Sequence, residues 1–476
     1  MNFNLIKFNW WVFAAGLLYI LPLILSSVDY TDDMGRTVSG YGWGIDGRFI
    51  STLIMQILSF NQWISPISPY TQILAAVITC LTGIISVNVI YKKEECVYFL
   101  SLILLTSPFY LENLSYKFDS LSMALSILLS VFPLLFIGKG YFIPISVASL
   151  TLSLAMYQTS AMVYFSIVLC YFIYRAQELS FSEFVKVSSS AFVSFLLSFL
   201  IYSSILKCVA GDVARSEFLS LDGVFINTIL FRTHAYYDFY SYLLNSGYSL
   251  AFLPFAIVVI YSYFSNLIFG NESIIRRIFL YPLFTLMLLV LTMLPNIVLE
   301  EPWYTARTMI AFPFLIFGLS VICVKHAHKL VVFTSIFILY IYGYSISAVY
   351  SNVLKDNDKY DDFITTSITE AIISDSESGT NNVIIIGRSE YPQKTRNLYH
   401  VYPILYKLAP LYSTQDWSWG VKNLSRYTSL NYVYDARKRQ EAYTNLCKNE
   451  IIKTTSLYTL RKSNEYYLVD FNKTKC

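Results

Sequence analysis

The chain has 476 residues, 55% of them hydrophobic and only 14% charged, against about 25% charged in ordinary soluble domains. A net charge of +3, scattered along the chain, excludes a basic nucleic-acid surface. About half of the acidic and basic side chains crowd roughly the last quarter of the chain, so the front reads as membrane and the tail does not.

A spanning helix needs about 20 apolar residues. Such runs fall near 8–28, 67–91, 96–113, 119–138, 141–158, 159–175, 186–208, 248–270, 278–299, 308–324 and 329–351, about eleven in all. The sequence therefore predicts a mainly α, polytopic transmembrane helical bundle over 1–351, followed by a small C-terminal α/β domain over 352–476. Lys7 precedes the first run and no small-residue cleavage site follows it, which predicts a retained helix. Residues 49–63 alternate apolar and polar positions at helical spacing and predict a helix lying in the interface plane. The run 96–113, with Pro108 near its end, and the close pair either side of Gln158 are open to a second reading as re-entrant hairpins. The segment 209–247 is too polar to span and predicts an outer loop with short helices. In the tail, Val383–Ile386, Leu457–Leu460 and Tyr466–Val469 read as strands.

Lysine and arginine in the connectors bias toward the cytoplasm. Lys7, Lys92, Lys93, Lys139, Arg175, Lys186, Arg276, Arg277, Lys325 and Lys329 fall on one side. Arg36, Arg48, Lys117, Lys207, Arg215, Arg232 and Arg307 fall on the other. That margin of about ten to seven predicts a cytoplasmic N-terminus and, with an odd span count, a tail outside. Cys80, Cys96, Cys170, Cys208 and Cys323 lie in or beside apolar runs and read as buried packing thiols. Cys447 and Cys476 lie in the polar tail and can pair if it faces an oxidising compartment.

The densest chemistry follows the first run: Asp29, Asp32, Asp33 and Arg36, then Gly40, Trp43, Asp46, Gly47 and Arg48. Close carboxylates raise one another's pKa and keep one basic enough to take a proton, while arginines grip a phosphate with two prongs. The competing reading is a solvated, salt-bridged loop. A second outer connector carries Glu112, Asn113, Tyr116, Lys117 and Asp119. Tyr157 and Gln158 mark a third position, and Glu300, Glu301, Trp303, Tyr304 and Arg307 a fourth. Ionisable groups at a membrane edge are costly and point to a site. No Walker loop, dinucleotide fingerprint or Gly-x-Ser-x-Gly element is present, which disfavours ATP-driven and serine-hydrolase chemistry.

Asp32-Asp33-Met34-Gly35-Arg36, Gly40, Trp43, Asp46-Gly47-Arg48, Glu112 to Asp119 and Tyr157-Gln158 together resemble the serotype-converting O-antigen glucosyltransferases of the type II Gtr group. Lys117 departs from an arginine common at that place, which keeps the charge and loses a bidentate contact. The resemblance implies a GT-C-type membrane glycosyltransferase using undecaprenyl-phosphate glucose at the periplasmic face of the bacterial inner membrane. It would add a glucosyl branch to a sugar of the lipopolysaccharide O-antigen, with a lipid-glucose synthase and a flippase as functional partners.

On this basis an inverting displacement is expected, with Asp32 or Asp33 as base and Asp119 as runner-up. Arg36, Arg48, Lys117 and Arg307 are the candidate clamp for the departing phosphate. Trp43, Asp46, Tyr116, Gln158, Glu301, Trp303 and Tyr304 are the candidate sugar contacts. No metal or other cofactor is called for. Trp417 and Trp419 of the tail are candidates for stacking on the acceptor polysaccharide, the alternative being a tail that only caps the loops. The rival class is a transporter or flippase of lipid-linked sugar, which would place charges in a mid-membrane cavity.

Overall fold

The computed structural model describes residues 9–91, 95–176, 178, 180–209, 219–220, 223, 225–270, 273–375 and 380–476. Lys7, Lys92, Lys93 and Arg215 of the orientation count lie outside them. The fold is mostly helical and forms two compact units. The first comprises Met1–Leu25, Gly42–Val349 and Tyr402–Leu408; the second comprises Ser26–Tyr41, Tyr350–Val401 and Ala409–Cys476.

Among the described residues five helices are long and apolar enough to cross a bilayer: Tyr70–Tyr91, Phe181–Val209, Phe225–Phe269, Arg276–Val298 and Lys329–Ser374. Tyr70–Tyr91 has 22 residues and no charge, and at about 1.5 Å per residue it matches a hydrocarbon core of about 30 Å. Its hydroxyls close on their own helix: Thr79, Thr82 and Ser86 each donate to the carbonyl four residues back, at 2.8 Å. Such back-bonding removes the desolvation cost of a polar atom in an apolar setting. In Phe181–Val209 the large residues Phe192, Leu196 and Leu200 are exposed while Ala191, Ser194 and Ser198 are buried. Ser198 donates to the Val147 carbonyl of helix Phe142–Leu154 at 3.2 Å. Small residues inside and large ones outside are the pattern of helices solvated by lipid, where close backbone approach replaces the hydrophobic effect.

The other predicted spans fall on shorter elements. Trp10–Ser26 has 17 residues, Ser120–Val131 has 12, Phe142–Leu154 has 13, and Ala161–Arg175 and Phe312–His326 have 15 each. Helices of that length reach about 18–26 Å. The run 96–113 is corrected as a continuous spanning helix, though not in its second reading as a re-entrant segment. It forms a 3-10 segment Glu95–Leu102, turns, and the six-residue helix Tyr110–Ser115. Residues 97–116 are all buried, and the segment passes so close to helix Tyr70–Tyr91 that a Cβ on Gly83 would overlap the Ser101 carbonyl. Irregular backbone is tolerated where protein covers it. The expected helix in 49–63 is Phe49–Ser59. The predicted outer loop 209–247 instead contains the 19-residue helix Phe225–Leu243, joined through a kink at Ser246 and Gly247 to Ser249–Phe269. Cys80, Cys170 and Cys323 are buried as expected, but Cys96 and Cys208 are exposed; Cys96 is the second residue of the 3-10 segment and Cys208 sits in the last turn of its helix.

The second unit is built on a five-stranded sheet of β1 (Asn382–Ile386), β2 (Asn431–Tyr432), β3 (Glu450–Thr454), β4 (Thr459–Lys462) and β5 (Tyr467–Asp470), in the order β2-β1-β5-β4-β3. β1 runs parallel to both β2 and β5, whereas β5-β4-β3 is antiparallel. Alternate residues of β1 enter opposite layers. Val383 and Ile385 pack with Ile364, Ile368 and Ile372, a one-faced stripe at helical spacing, and Ile384 and Ile386 pack with Ala442 and Leu446. Coverage on both faces is why β1 is a continuous apolar run. Cys447 and Cys476 form a disulfide.

Candidate functional site

In the first unit several of the separate sequence motifs converge on Arg307. Its peptide N–H donates to Glu112 Oε2 at 2.7 Å. Its carbonyl accepts from the Tyr157 hydroxyl at 2.8 Å and from Asn113 Nδ2 at 3.2 Å. Its guanidinium lies over the Tyr116 ring, 4.8 Å from the centroid. Three side chains thus fix the two peptide groups that flank Arg307, and an aromatic face holds its charge. Glu112 is only 3% exposed and lies outside the five long apolar helices. Burial pushes its carboxyl up to about 7 against the opposing pull of the Arg307 guanidinium and of the Arg307 and Ala306 amides.

The loop that carries Arg307 is tied down by Asn296, near the end of helix Ile274–Val298. Its Nδ2 donates to the Trp303 carbonyl and to Thr308 Oγ1, both at 2.8 Å, and its Oδ1 accepts from Trp303 N at 3.2 Å. Arg232 donates to the carbonyls of Ile297, Leu299 and Glu300. A cation on the last carbonyls of a helix is a C-terminal cap, so Arg232 serves the loop.

Arg48 forms the second cationic position. It pairs with Asp119, itself 2% exposed, at 3.5 Å; it donates to Gln158 Oε1 at 3.4 Å and lies over the Tyr157 ring at 4.6 Å. Gln158 Nε2 donates to the Asp46 carbonyl at 2.8 Å and to the Tyr202 hydroxyl at 3.0 Å. The turn before Arg48 needs Gly47: its φ is 71°, and a Cβ there would meet the Tyr202 hydroxyl.

Arg48 and Arg307 both line a cleft of about 220 Å³ that also takes in Asp46, Gln158, Glu301 and Trp303. Its other wall is apolar, with Phe195 and Phe199 from helix Phe181–Val209. Such a cleft can hold a phosphate at one side and a hydrocarbon at the other.

Of the remaining sequence candidates in this unit, Tyr304 packs edge-on against Tyr236 at 6.0 Å. Lys117 is half-buried, and its carbonyl accepts from Thr71 Oγ1 at 2.6 Å. Trp43 is fully enclosed with Met55, Ile64 and Phe118, so its ring is a core anchor with no face open to a sugar.

Asp32, Asp33 and Arg36 are assembled in the second unit, on the eight-residue helix Asp32–Ser39. Asp32 and Arg36 are 3.9 Å apart, one turn along the helix. Asp33 is 0% exposed and accepts from the Tyr30 backbone N–H at 3.4 Å, which closes the first turn. Thr31, just before the helix, has a φ of 47°; a β-branched residue holds that conformation only where its surroundings enforce it. Its N–H donates to the Tyr412 hydroxyl at 3.4 Å. Helix Trp419–Leu424 packs on Asp32–Ser39. Lys422 lies 5.9 Å from the centroid of the Tyr41 ring, which the Arg36 guanidinium also covers at 5.2 Å. Burial lowers the Lys422 ammonium's pKa, opposed by the nearby Asp32 charge. Arg426 pairs with Asp29 and with Asp358, each at 3.6 Å. Trp417 is exposed, with its ring 6.2 Å from that of Trp419.

A family profile described as Glucosyl transferase GtrII matches residues 21–318, more than half of the chain. The chain belongs to the GtrII glucosyltransferase family. The match runs from the first helix through Arg307 and so contains every residue of the cleft. A protein of Salmonella phage P22, described as an uncharacterized 55.3 kDa protein in the gtrB 5' region, is 25% identical over 450 residues, covering 90% of this chain and 92% of its own. No solved structure matches the chain.

Sequence reading pointed to Arg48, Asp119 and Arg307 from charge at the ends of apolar runs, and to Gln158 from a polar pair with Tyr157 between two of them. It missed Tyr202, which sits inside such a run and carries no local signal. It also missed Lys422, Arg426 and Tyr412, which lie in a tail without a motif. Asn296 had a signal: an amide beside Pro295 near the end of an apolar helix.

Proposed function

We propose that the chain is a GT-C-type membrane glucosyltransferase that takes glucose from undecaprenyl-phosphate glucose at the periplasmic face of the bacterial inner membrane. It transfers the glucose to a sugar of the lipopolysaccharide O-antigen, converting serotype. The observation that carries this reading is the cleft in which Arg48 and Arg307 face an apolar wall. A nucleotide-sugar donor would have no use for that wall; a polyprenyl phosphate uses both sides. The Cys447–Cys476 disulfide supports a tail in an oxidising compartment. A lipid-glucose synthase and a flippase are proposed as functional partners; the P22 relative's description by the gtrB region supports the synthase.

In the reaction the acceptor hydroxyl forms its bond to the anomeric carbon as the bond to the phosphate oxygen breaks. The electron pair leaves with the lipid phosphate, and a carboxylate takes the hydroxyl proton. Arg48 and Arg307 meet the charge that develops on the phosphate. Arg36 and Lys117 are further candidates for that clamp. Asp32 is preferred to Asp33 as base, because Asp33 is wholly enclosed and engaged with its own turn; Asp119 ranks behind, held in its ion pair. Asp46, Tyr116, Gln158, Glu301, Trp303 and Tyr304 are proposed to contact the sugars.

The test is transfer by the purified protein from undecaprenyl-phosphate glucose to isolated O-antigen polysaccharide. A new glucosyl branch is expected from the lipid donor and none from a nucleotide sugar. Transfer from the nucleotide sugar alone would overturn the donor assignment, and movement of the lipid across vesicles without transfer would favour a transporter. Activity surviving in both Asp32→Asn and Asp33→Asn would reassign the base.

A further inference from the structure

The first unit contains a second, larger cavity, of about 1030 Å³, that the reaction above does not use. Two helices that line the cleft, Phe181–Val209 and Ala161–Arg175, also reach this cavity at their other ends, and Tyr70–Tyr91 reaches it from the segment that carries Lys117 and Asp119, the partner of Arg48. On Tyr70–Tyr91, Thr71 bonds the Lys117 carbonyl while Asn88 lines the cavity. On Phe181–Val209, Tyr202 bonds the Gly47 carbonyl while Lys186 lines the cavity. Ala161–Arg175 begins just after Gln158 and ends in the cavity wall. Those separations come to about 21–26 Å, most of the thickness of a bilayer's hydrocarbon core. The cavity therefore lies at the membrane face opposite the cleft.

The chemistry of its lining selects for an anion. Arg175 is neutralised, with Glu178 at 3.2 Å and Glu183 at 3.5 Å. Lys139 rests on the rings of Phe136 and Tyr141, at 5.4 and 5.7 Å, and neither it nor Lys186 has a carboxylate within ion-pair distance among the described residues. The lining also has an apolar part, with Leu134, Ile137 and Phe142. We propose that this cavity binds a phosphate-bearing amphiphile, its phosphate held by Lys139 and Lys186 and its apolar part against the wall of Leu134, Ile137 and Phe142. The phosphate can come from the headgroup of an anionic lipid in the adjacent leaflet or from a free phosphate compound.

Native mass spectrometry of the full-length protein in neutral detergent tests this, with phosphatidylglycerol, phosphatidylcholine and inorganic phosphate as probes. Selective retention of phosphatidylglycerol is expected, weakened about tenfold or more in Lys139→Gln/Lys186→Gln and kept in Lys139→Arg/Lys186→Arg. The variant Glu183→Gln, which releases Arg175 from one partner, is expected to tighten retention. Binding of inorganic phosphate without phosphatidylglycerol, lost in the Gln pair, would support the phosphate site and assign it to a soluble ligand. Equal retention of both lipids, or retention undiminished in the Gln pair, would overturn the proposal. If the Gln pair fails to fold, an unchanged or weakened affinity in Glu183→Gln overturns it as well. The outcome is independent of the transfer assay, which reads the other face.

Discussion

In the first unit Arg307 is fixed through its backbone: Glu112 accepts from its N–H, Asn113 and Tyr157 donate to its carbonyl, and the guanidinium lies on the Tyr116 face. In the second unit Arg36 and Arg426 are held through their side chains, by Asp32, Asp29 and Asp358 at 3.6–3.9 Å. The first arrangement fixes where the charge sits through backbone contacts at the wall of the cleft. The second uses charge to hold the loop around Asp32 to helix Trp419–Leu424 and to helix Lys329–Ser374. A backbone clamp does not weaken in salt, whereas ion pairs between partly open side chains do.

The sharpest way to break the contrast is at Arg307 itself. Arg307→Ala should lower transfer by about 10²–10³-fold, the cost of losing one charge-stabilising donor, and Arg307→Lys should fall between, since it keeps the charge without the fork. Steady-state kinetics with the lipid donor read both. Next in size is the staple of the second unit. Cys447→Ser opens a loop of 29 residues and should cost about 3–4 kcal/mol of that unit's stability, read by thermal unfolding with and without reductant.

The Glu112 clamp gives a pH signature of the same order. Its folded pKa, about 7, lies above the ordinary carboxylate value, so between about 4.5 and 7 the folded state holds the proton that the unfolded state releases. Stability contributed at this position is therefore greatest at acid pH and declines as pH rises to about 7, by at most about 3 kcal/mol. Glu112→Gln keeps an acceptor for the Arg307 amide and should flatten that slope in melting temperature measured from pH 5 to 8. The smallest effect is expected at Arg426. Both its partners are partly exposed, so Arg426→Ala should cost no more than about 1 kcal/mol. The difference should shrink further in high salt, and a salt-independent loss would show that the pairs are not what holds the loop.

How much of this was legible follows from what sequence periodicity can carry. Runs of about 20 apolar residues found Tyr70–Tyr91, Phe181–Val209, Ser249–Phe269 and Ile274–Val298 because lipid demands length. The same criterion failed for 96–113, because a chain covered by protein is as apolar as one facing lipid, and Pro108 was the sign of the difference. The strands of the tail were readable, β1 above all, since a strand buried on both faces is a short β-branched run. At the site, charge at the ends of apolar runs gave Arg48, Asp119 and Arg307, but not the clamp. Which peptide Glu112 and Asn113 hold is a contact across 194–195 residues, and no local pattern encodes it. Trp43 illustrates the converse: its place in the motif suggested a sugar platform, and its burial shows a core residue.

The central claim, that Arg48 and Arg307 hold a polyprenyl phosphate in the cleft, is tested most directly by the dissociation constant of undecaprenyl phosphate for the wild-type protein and for Arg307→Ala. The account predicts binding weakened about tenfold or more at unchanged melting temperature. Equal affinity in a folded Arg307→Ala variant would contradict it.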